Sequence, residues 1–220
     1  MKNLFKLFLV ITLGLTVSAC SKTDDVKEED EKEVVEEVVD EDYVRGVWTD
    51  NVYTNEFVGL DFTMPEGWTL ATNEELLSML DSSNEQFLDE EAKKNYEKAI
   101  EQASTFYDFA IFNLTTGENM IMNIEDLSKN GAAILITEDQ FLDVVEEQIL
   151  NIEGIEYEVV DRSDVRFANE DYRKLELSAN GVMTQEYYTK KFGKYMVSIV
   201  VSYVTSSPDA ITALIEEINQ

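Results

Sequence analysis

Residues 172–204 read YRKLELSANGVMTQEYYTKKFGKYMVSIVVSYV. Asn180-Gly181 separates two β-rich runs, and this pair favours a two-residue type I′ turn because both central positions need positive φ. Phe192-Gly193 supplies a weaker second turn. The stretch therefore predicts three consecutive antiparallel strands: Tyr172 to Ala179, Val182 to Lys191 and Lys194 to Val204. With two-residue turns, Ala179 faces Val182, Leu175 faces Glu186, Arg173 faces Tyr188, and Glu186 faces Ile199 on its other side. One face then reads Leu175, Leu177, Ala179, Val182, Thr184, Glu186, Tyr188, Val197, Ile199 and Val201, with Glu186 as its one acid. Burying an unpaired carboxylate is costly, so this register predicts an ion pair with Arg173, which lies diagonally within reach. Two other readings stay open: an acid in a pocket with a raised pKa if Arg173 points elsewhere, and a slipped register. Tyr187 falls opposite the main apolar face, where its ring is available for stacking. Glu186, Arg173 and Tyr187 are thus the candidate ligand-binding residues.

Working outward, Val52 to Asn55 and Gly59 to Met64 read as short strands. The turn signal Pro65-Glu66-Gly67 closes them before Trp68, whose ring is expected in the core. Thr72 with Glu75 forms a capping box for a helix carrying Leu76, Leu77 and Leu80, and a second helical stripe runs from about Glu85 to Ala103. Phe106 to Thr115 and Glu118 to Leu127 make a hairpin around Thr116-Gly117. It turns Tyr107, Phe109, Ile111, Met120, Met122 and Ile124 to one face. Thr137 with Gln140 caps another helix to about Ile152, followed by strands at Ile155 to Val160 and Val165 to Ala168. After Ser207 and Pro208, Ile211, Leu214, Ile215 and Ile218 follow helical spacing. Consecutive hairpins with interspersed amphipathic helices predict an antiparallel sheet with helices packed on it, the α+β class.

The chain has 220 residues, a formal net charge of -29, no histidine and one cysteine. Without histidine there is no Ser-His-Asp or Cys-His nucleophile system, and the usual zinc, haem and iron-sulfur ligand sets are missing. Such acidity repels a phosphate backbone, so no nucleic-acid partner is expected. Ser-x-x-Lys, Gly-x-Ser-x-Gly, dinucleotide and Walker motifs are absent. Asp81, Ser83 and Glu85 fit the first ligand positions of an EF-hand, but Gln86 and Ala92 replace its glycine and its bidentate glutamate. No metal or cofactor is expected. The 46 acids leave one enzymatic alternative, a metal-independent carboxylate pair hydrolysing envelope glycan, which only spatial separation would reveal.

At the amino terminus, Lys2 and Lys6 precede an apolar run from Leu7 to Val17, too short for a membrane span and apt for a signal peptide over 1–19. Val17-Ser18-Ala19-Cys20 resembles the bacterial lipobox, which implies diacylglycerol on Cys20 as the first mature residue and a membrane partner through that lipid. Residues 24–42 hold twelve acids against two bases. Self-repulsion on that scale favours an extended spacer over 20–47 that reaches at most about 95 Å. The domain is expected over 48–220. There, Tyr53-Thr54-Asn55-Glu56-Phe57-Val58-Gly59-Leu60-Asp61-Phe62 leading into Pro65-Glu66-Gly67-Trp68 resembles the PsbP-like (PsbP/Mog) family of α+β proteins, over about Trp48 to Gln220. The resemblance implies partner binding and transfers no catalytic residue. The expected role is a membrane-anchored, outward-facing, non-enzymatic lipoprotein with a protein or cell-envelope partner.

Overall fold

The computed structural model describes residues 42–84, 94–129 and 135–220. The signal peptide, Cys20 and most of the acidic spacer lie outside the described residues, as do residues 85–93 of the second expected helix. A three-stranded sheet is built from β1 (Val47–Thr49), β2 (Val52–Asn55) and β3 (Leu60–Thr63) in that order. A seven-stranded sheet contains β4 (Trp68–Leu70), β5 (Thr105–Asn113), β6 (Asn119–Asp126), β7 (Tyr157–Phe167), β8 (Glu170–Ala179), β9 (Met183–Phe192) and β10 (Tyr195–Val204). Its order is β4-β5-β6-β10-β9-β8-β7, and every pairing is antiparallel. The described helices are α1 (Asn73–Asn84), α2 (Tyr96–Gln102), α3 (Glu138–Leu150) and α4 (Asp209–Ile218). The class is α+β, as the alternation of hairpins and amphipathic helices requires.

The local signals act as their chemistry dictates. Thr72 Oγ1 accepts from the Glu75 N–H at 3.3 Å while Glu75 accepts from the Thr72 N–H at 2.8 Å, and Thr137 and Gln140 form the same reciprocal box on α3. Pro208 instead occupies the N-cap of α4 without a side-chain cap. Asp81 and Ser83 are helical residues of α1 rather than parts of a cation loop.

The main departure from expectation is at Asn180-Gly181. The type I′ turn forms, with φ of 52° and 66° at its two central residues and the Val182 N–H donating to Ala179 at 3.1 Å. Yet Val182 stays outside the ladder and is exposed, and Ala179 pairs with Met183. Neighbours hold the turn: the Asn180 N–H donates to the Glu156 carbonyl at 2.7 Å, Glu156 N–H donates to Asn180 Oδ1 at 2.9 Å, and Thr205 N–H donates to the Val182 carbonyl at 3.0 Å. A one-residue slip exchanges the two faces of a strand. Here Leu175 pairs with Tyr187, Arg173 with Thr189, and Glu186 with Glu176. Met183 and Tyr187 thereby join Leu175, Leu177 and Ala179 in the core beneath α3, while Thr184 and Glu186, which the expected register would place there, are buried on the opposite face. The second turn centres on Gly193-Lys194, so Phe192 pairs with Tyr195; this moves the register by two residues and leaves the faces unchanged.

The helix face of the large sheet meets α3 through Phe141, Leu142, Val145 and Ile149. On the opposite, aromatic face lie Phe109, Met120, Met122, Ile199 and Tyr188, with the small sheet closing over them: Tyr53 and Phe62 approach Phe109 at 4.6 and 5.5 Å between ring centroids. β7 is one edge strand with a bulge between Val159 and Asp161, joining what reads in sequence as two strands. Its polar middle sits at the solvated edge, where Arg162 reaches Asp143 at 2.6 Å.

Packing also begins before Trp48. A second bulge, between Tyr107 and Phe109, leaves the side chain of Asp108 fully buried. Its carboxylate accepts from Tyr53 OH, from the Gly46 N–H at 3.0 Å, from Asn55 Nδ2 at 3.1 Å and from Arg45 Nε at 3.2 Å. Arg45 also bonds the Asp108 carbonyl at 2.8 Å and lies 5.0 Å from the Tyr96 ring centroid. Tyr43 packs on Phe57 at 5.0 Å and on Phe106 at 5.5 Å. Residues 42–47, assigned above to the spacer, therefore belong to the folded unit. Burial, reinforced by the Asp108 charge, pushes the Tyr43 and Tyr53 hydroxyls well above the ordinary phenol range, so both remain protonated donors. Gly46 admits no side chain, since a Cβ there would lie 2.3 Å from the Tyr53 ring.

Asp108→Ala is expected to destabilise the domain by about 3 to 5 kcal/mol, because it strands a half-buried guanidinium and several donors. Trp68→Ala should cost a similar amount, about 3 to 5 kcal/mol, for a ring that is 6% exposed. Denaturant unfolding checks both; a loss below about 1 kcal/mol at either site contradicts the packing described.

Candidate functional site

The register separates the three candidate residues. Glu186 lies on the aromatic face, where it accepts from Tyr188 OH at 2.5 Å and from Tyr203 OH at 3.1 Å. Its cross-strand partner is Glu176, whose carboxylate takes Lys174 Nζ at 2.8 Å; Lys174 also reaches Asp161 at 3.2 Å. Burial acts to lower the Lys174 pKa, but the bond and charge of Glu176, with Glu186 and Asp161, outweigh it and hold the ammonium above the usual lysine range. Tyr188 is pushed well up by burial and by the neighbouring Glu186 charge, and its ring stacks on Phe167 at 4.5 Å.

Arg173 lies on the helix face, away from Glu186. It binds Asp139 of α3 at 2.7 Å and Asp164 of β7 at 2.8 Å, so the expected Arg173–Glu186 pair does not form. Hydrogen bonding from Arg173, with the nearby Arg162, holds the Asp139 carboxyl below its ordinary value. Tyr187, expected on the opposite side from the main apolar face, is 4% exposed and packed under α3, and burial drives its hydroxyl far up.

The pairing of β10 with β6 and with β9 assembles a feature that no single strand displays. Across β6, β10 and β9, Asn119, Ser202 and Gln185 form one transverse row, and Asn123, Ser198 and Thr189 form another. Between them runs Ile121, Val200 and Tyr187. Asn119 and Gln185 are each 1% exposed, and Thr189, Ser198 and Ser202 are also buried. Part of the polar capacity is used internally: Gln185 Nε2 donates to Ser202 Oγ at 3.2 Å, and the Thr189 and Ser198 hydroxyls bond at 3.0 Å. Asn119 Nδ2, Gln185 Oε1, Asn123 Oδ1 and Tyr187 OH have no protein partner. Buried polar atoms are normally satisfied by protein or by ordered water, and these four on one sheet face have no protein partner. The signal is present in the sequence as a polar residue four positions apart on each of three strands: Asn119/Asn123, Gln185/Thr189 and Ser198/Ser202. It becomes a pattern only once the register is known.

A groove of about 240 Å³ adjoins the first row. Thr69, Leu70 and Ala71 lie on one side, Glu75, Ser78 and Met79 of α1 on another, with Phe112 and Leu114. Phe112 is the cross-strand partner of Asn119, which does not itself line the groove. α1 packs against β5 and α3 against β7, β8 and β9, so β6 and β10 run between these two helices. A second cleft, of about 560 Å³, lies where the chain enters the domain, lined by Asp42, Val44, Arg45, Val47, Thr54, Glu56 and Phe57. Glu176 and Glu186 line neither cavity. Among the described residues, no helix is long and apolar enough to cross a membrane, and no group of three or more acids or thiols is arranged to hold a metal ion.

No family model matches this chain, and no curated protein matches it. It is similar to the solution structure of cyanobacterial PsbP (CyanoP) from Synechocystis at 12% identity and a TM-score of 0.43, over 76% of this chain and 87% of that one. It is also similar to the crystal structure of LpqN, a protein involved in cell envelope biogenesis of Mycobacterium tuberculosis, at 11% identity and a TM-score of 0.38, over 73% and 79% of the two chains.

A double-mutant cycle of Glu186→Gln with Arg173→Met is expected to be additive within about 0.5 kcal/mol, whereas Glu186→Gln with Tyr188→Phe should couple by about 1 kcal/mol or more. Coupling to Arg173 instead would place the two side chains on one face. The Asp139 carboxyl gives a pH test. Its folded pKa is depressed, so its contribution is present above the unfolded value of about 3.9 and is lost as pH falls through the lower folded value. In Arg173→Met, NMR titration should show the Asp139 midpoint rising towards that ordinary value; an unmoved midpoint contradicts the assignment.

Proposed function

We propose that this protein is an outward-facing membrane lipoprotein, anchored through diacylglycerol on Cys20, whose α+β domain is a non-enzymatic binding module. The anchor is supported by the apolar run from Leu7 to Val17 followed by Ser18, Ala19 and the chain's single cysteine. Twelve acids within residues 24–42 make the intervening segment a charged spacer that holds the domain away from lipid headgroups. Two acyl chains anchor stably where one anchors marginally, which fits a lipid as the sole attachment.

The observation that carries the binding role is the pair of largely buried polar rows on β6, β10 and β9, with four buried hydrogen-bonding atoms that have no protein partner. Packing alone would fill such positions with aliphatic side chains, as it does in the intervening Ile121 and Val200. Sites of this kind combine apolar walls with a few placed polar groups that orient a ligand.

Cys20→Ala tests the anchor. Metabolic acyl labelling and membrane fractionation should show loss of the label together with unprocessed precursor or release of the protein. Unchanged membrane association without label would overturn the lipoprotein reading.

A further inference from the structure

We propose that the outer face of the small sheet, with the cleft where the chain enters the domain, is a docking surface for a basic segment of a partner protein that also carries aliphatic side chains. This goes beyond the binding-module reading, which rests on the helix face of the large sheet, and the two are tested separately. The inner face of β1, β2 and β3 packs on the aromatic core, whereas Val47, Thr49, Val52, Thr54, Asp61 and Thr63 are all exposed on the outer face. They align across the strands as two rows, Val47-Thr54-Asp61 and Thr49-Val52-Thr63. Val47 is 63% exposed, and Val44, which lines the adjoining cleft with it, is 69% exposed. Around these valines stand three exposed carboxylates: Asp50 in the turn after β1, Glu56 just beyond β2, and Asp61 on β3. None of the three has a side-chain partner among the described residues. The surface therefore has an apolar centre and an acidic rim, the usual anatomy of an interface.

Charge selects the occupant. A second copy of a chain with net charge -29 is repelled by these carboxylates, and so is the chain's own spacer, with twelve acids against two bases in residues 24–42. Nucleic acid and anionic lipid are repelled for the same reason. Size points the same way, because three short strands about 4.8 Å apart make a footprint well below the roughly 800 Å² per partner that a stable dimer buries. Such a footprint suits one short segment. In the cleft, Glu56 stands beside the half-buried Phe57 ring, with Val44 and Val47 as apolar wall. That combination matches a lysine or arginine side chain, whose stem packs on the valines while its cationic head meets the carboxylate and the ring. The other charges of the cleft are engaged, Arg45 with Asp108 at 3.2 Å and Asp42 with Lys194 at 2.9 Å. Asp50 and Glu56 flank the two ends of β2, so a segment with a basic residue at each end pairs with both while aliphatic side chains between them cover Val47 and Val52. Exposed ion pairs contribute little each and are screened by salt, so the contact is transient and weakens with ionic strength.

The test uses the full chain and three blocked hexapeptides as probes: one with lysine at both ends and valine alternating with threonine between, one with glutamate in place of lysine, and one with serine in place of valine. In NMR titrations the lysine-valine peptide should shift the backbone amides of Val47, Val52 and Thr54, with the other two peptides roughly tenfold weaker. Its affinity should fall about threefold between about 50 and about 300 mM salt. Asp50→Asn combined with Glu56→Gln, and separately Val52→Lys, should each reduce affinity roughly tenfold without lowering the unfolding midpoint, since all three positions are exposed. Unchanged affinity in either variant overturns the proposal, as does the absence of amide shifts with every peptide. Equal binding of the serine peptide would reduce the contact to charge condensation, and equal binding of the glutamate peptide would remove the charge argument; either result overturns it. Shifts at this face that grow with protein concentration alone would assign it to a second copy, and shifts with neutral phosphatidylcholine vesicles but no peptide would assign it to a lipid surface, each again overturning the basic segment. None of these readouts involves Asn119 or Gln185, so the polar-row reading stands or falls separately.

Discussion

A single residue left out of a ladder determines what each face of the large sheet presents. Val182 follows a type I′ turn that forms as its Asn-Gly sequence demands, yet it contributes no rung, so β8 and β9 pair one residue out of simple hairpin register. Because side chains alternate with a period of two, that residue exchanges the faces of β9 relative to β8. The exchange has a clear energetic direction. It puts Met183 and Tyr187 under α3 and moves Glu186 to the other face, within reach of two tyrosine hydroxyls. Asn180 reinforces it by bonding Glu156 with both its backbone N–H and its side-chain oxygen.

The two-residue shift at the second turn, where Phe192 pairs with Tyr195, brings Gln185 and Thr189 into line with the serines of β10, which in turn pair with the asparagines of β6. Two polar rows then cross the sheet on either side of Ile121 and Val200. Unsatisfied buried amides lower stability, and proteins retain such violations of packing chiefly where function uses them. The Asp108 node makes an instructive contrast. It is also a buried polar group, but every donor around it is spoken for, and its role is to fasten the entering chain at Arg45 and Gly46 to the core. A satisfied network rigidifies, whereas the atoms left open in the rows have no protein partner to fix them.

Much of the fold is legible in the sequence. Capping boxes at Thr72 and Thr137, the Asn-Gly turn, and the helical spacing of Ile211, Leu214 and Ile218 each reflect local chemistry, and local chemistry is what a sequence displays. The misreadings arose where tertiary contacts decide. The bulge at Val182 depends on bonds to Glu156 and Thr205, from two other parts of the chain. The Asp108 bulge depends on Arg45 and Asn55, more than fifty residues away in sequence. The Glu186–Arg173 pair was a sound inference from the wrong register, and it failed for that reason alone. The polar rows were visible as a spacing of four on each strand, but a row exists only between strands, so its recognition waited on the pairing of β6, β10 and β9.

The register of β8 against β9 therefore bears most directly on the account, and cross-strand nuclear Overhauser effects between backbone protons measure it. The account predicts contacts of Leu177 with Gln185, Leu175 with Tyr187 and Arg173 with Thr189. Contacts of Leu177 with Thr184 and Leu175 with Glu186 would contradict it, placing Glu186 on the same face as Leu175 and Leu177.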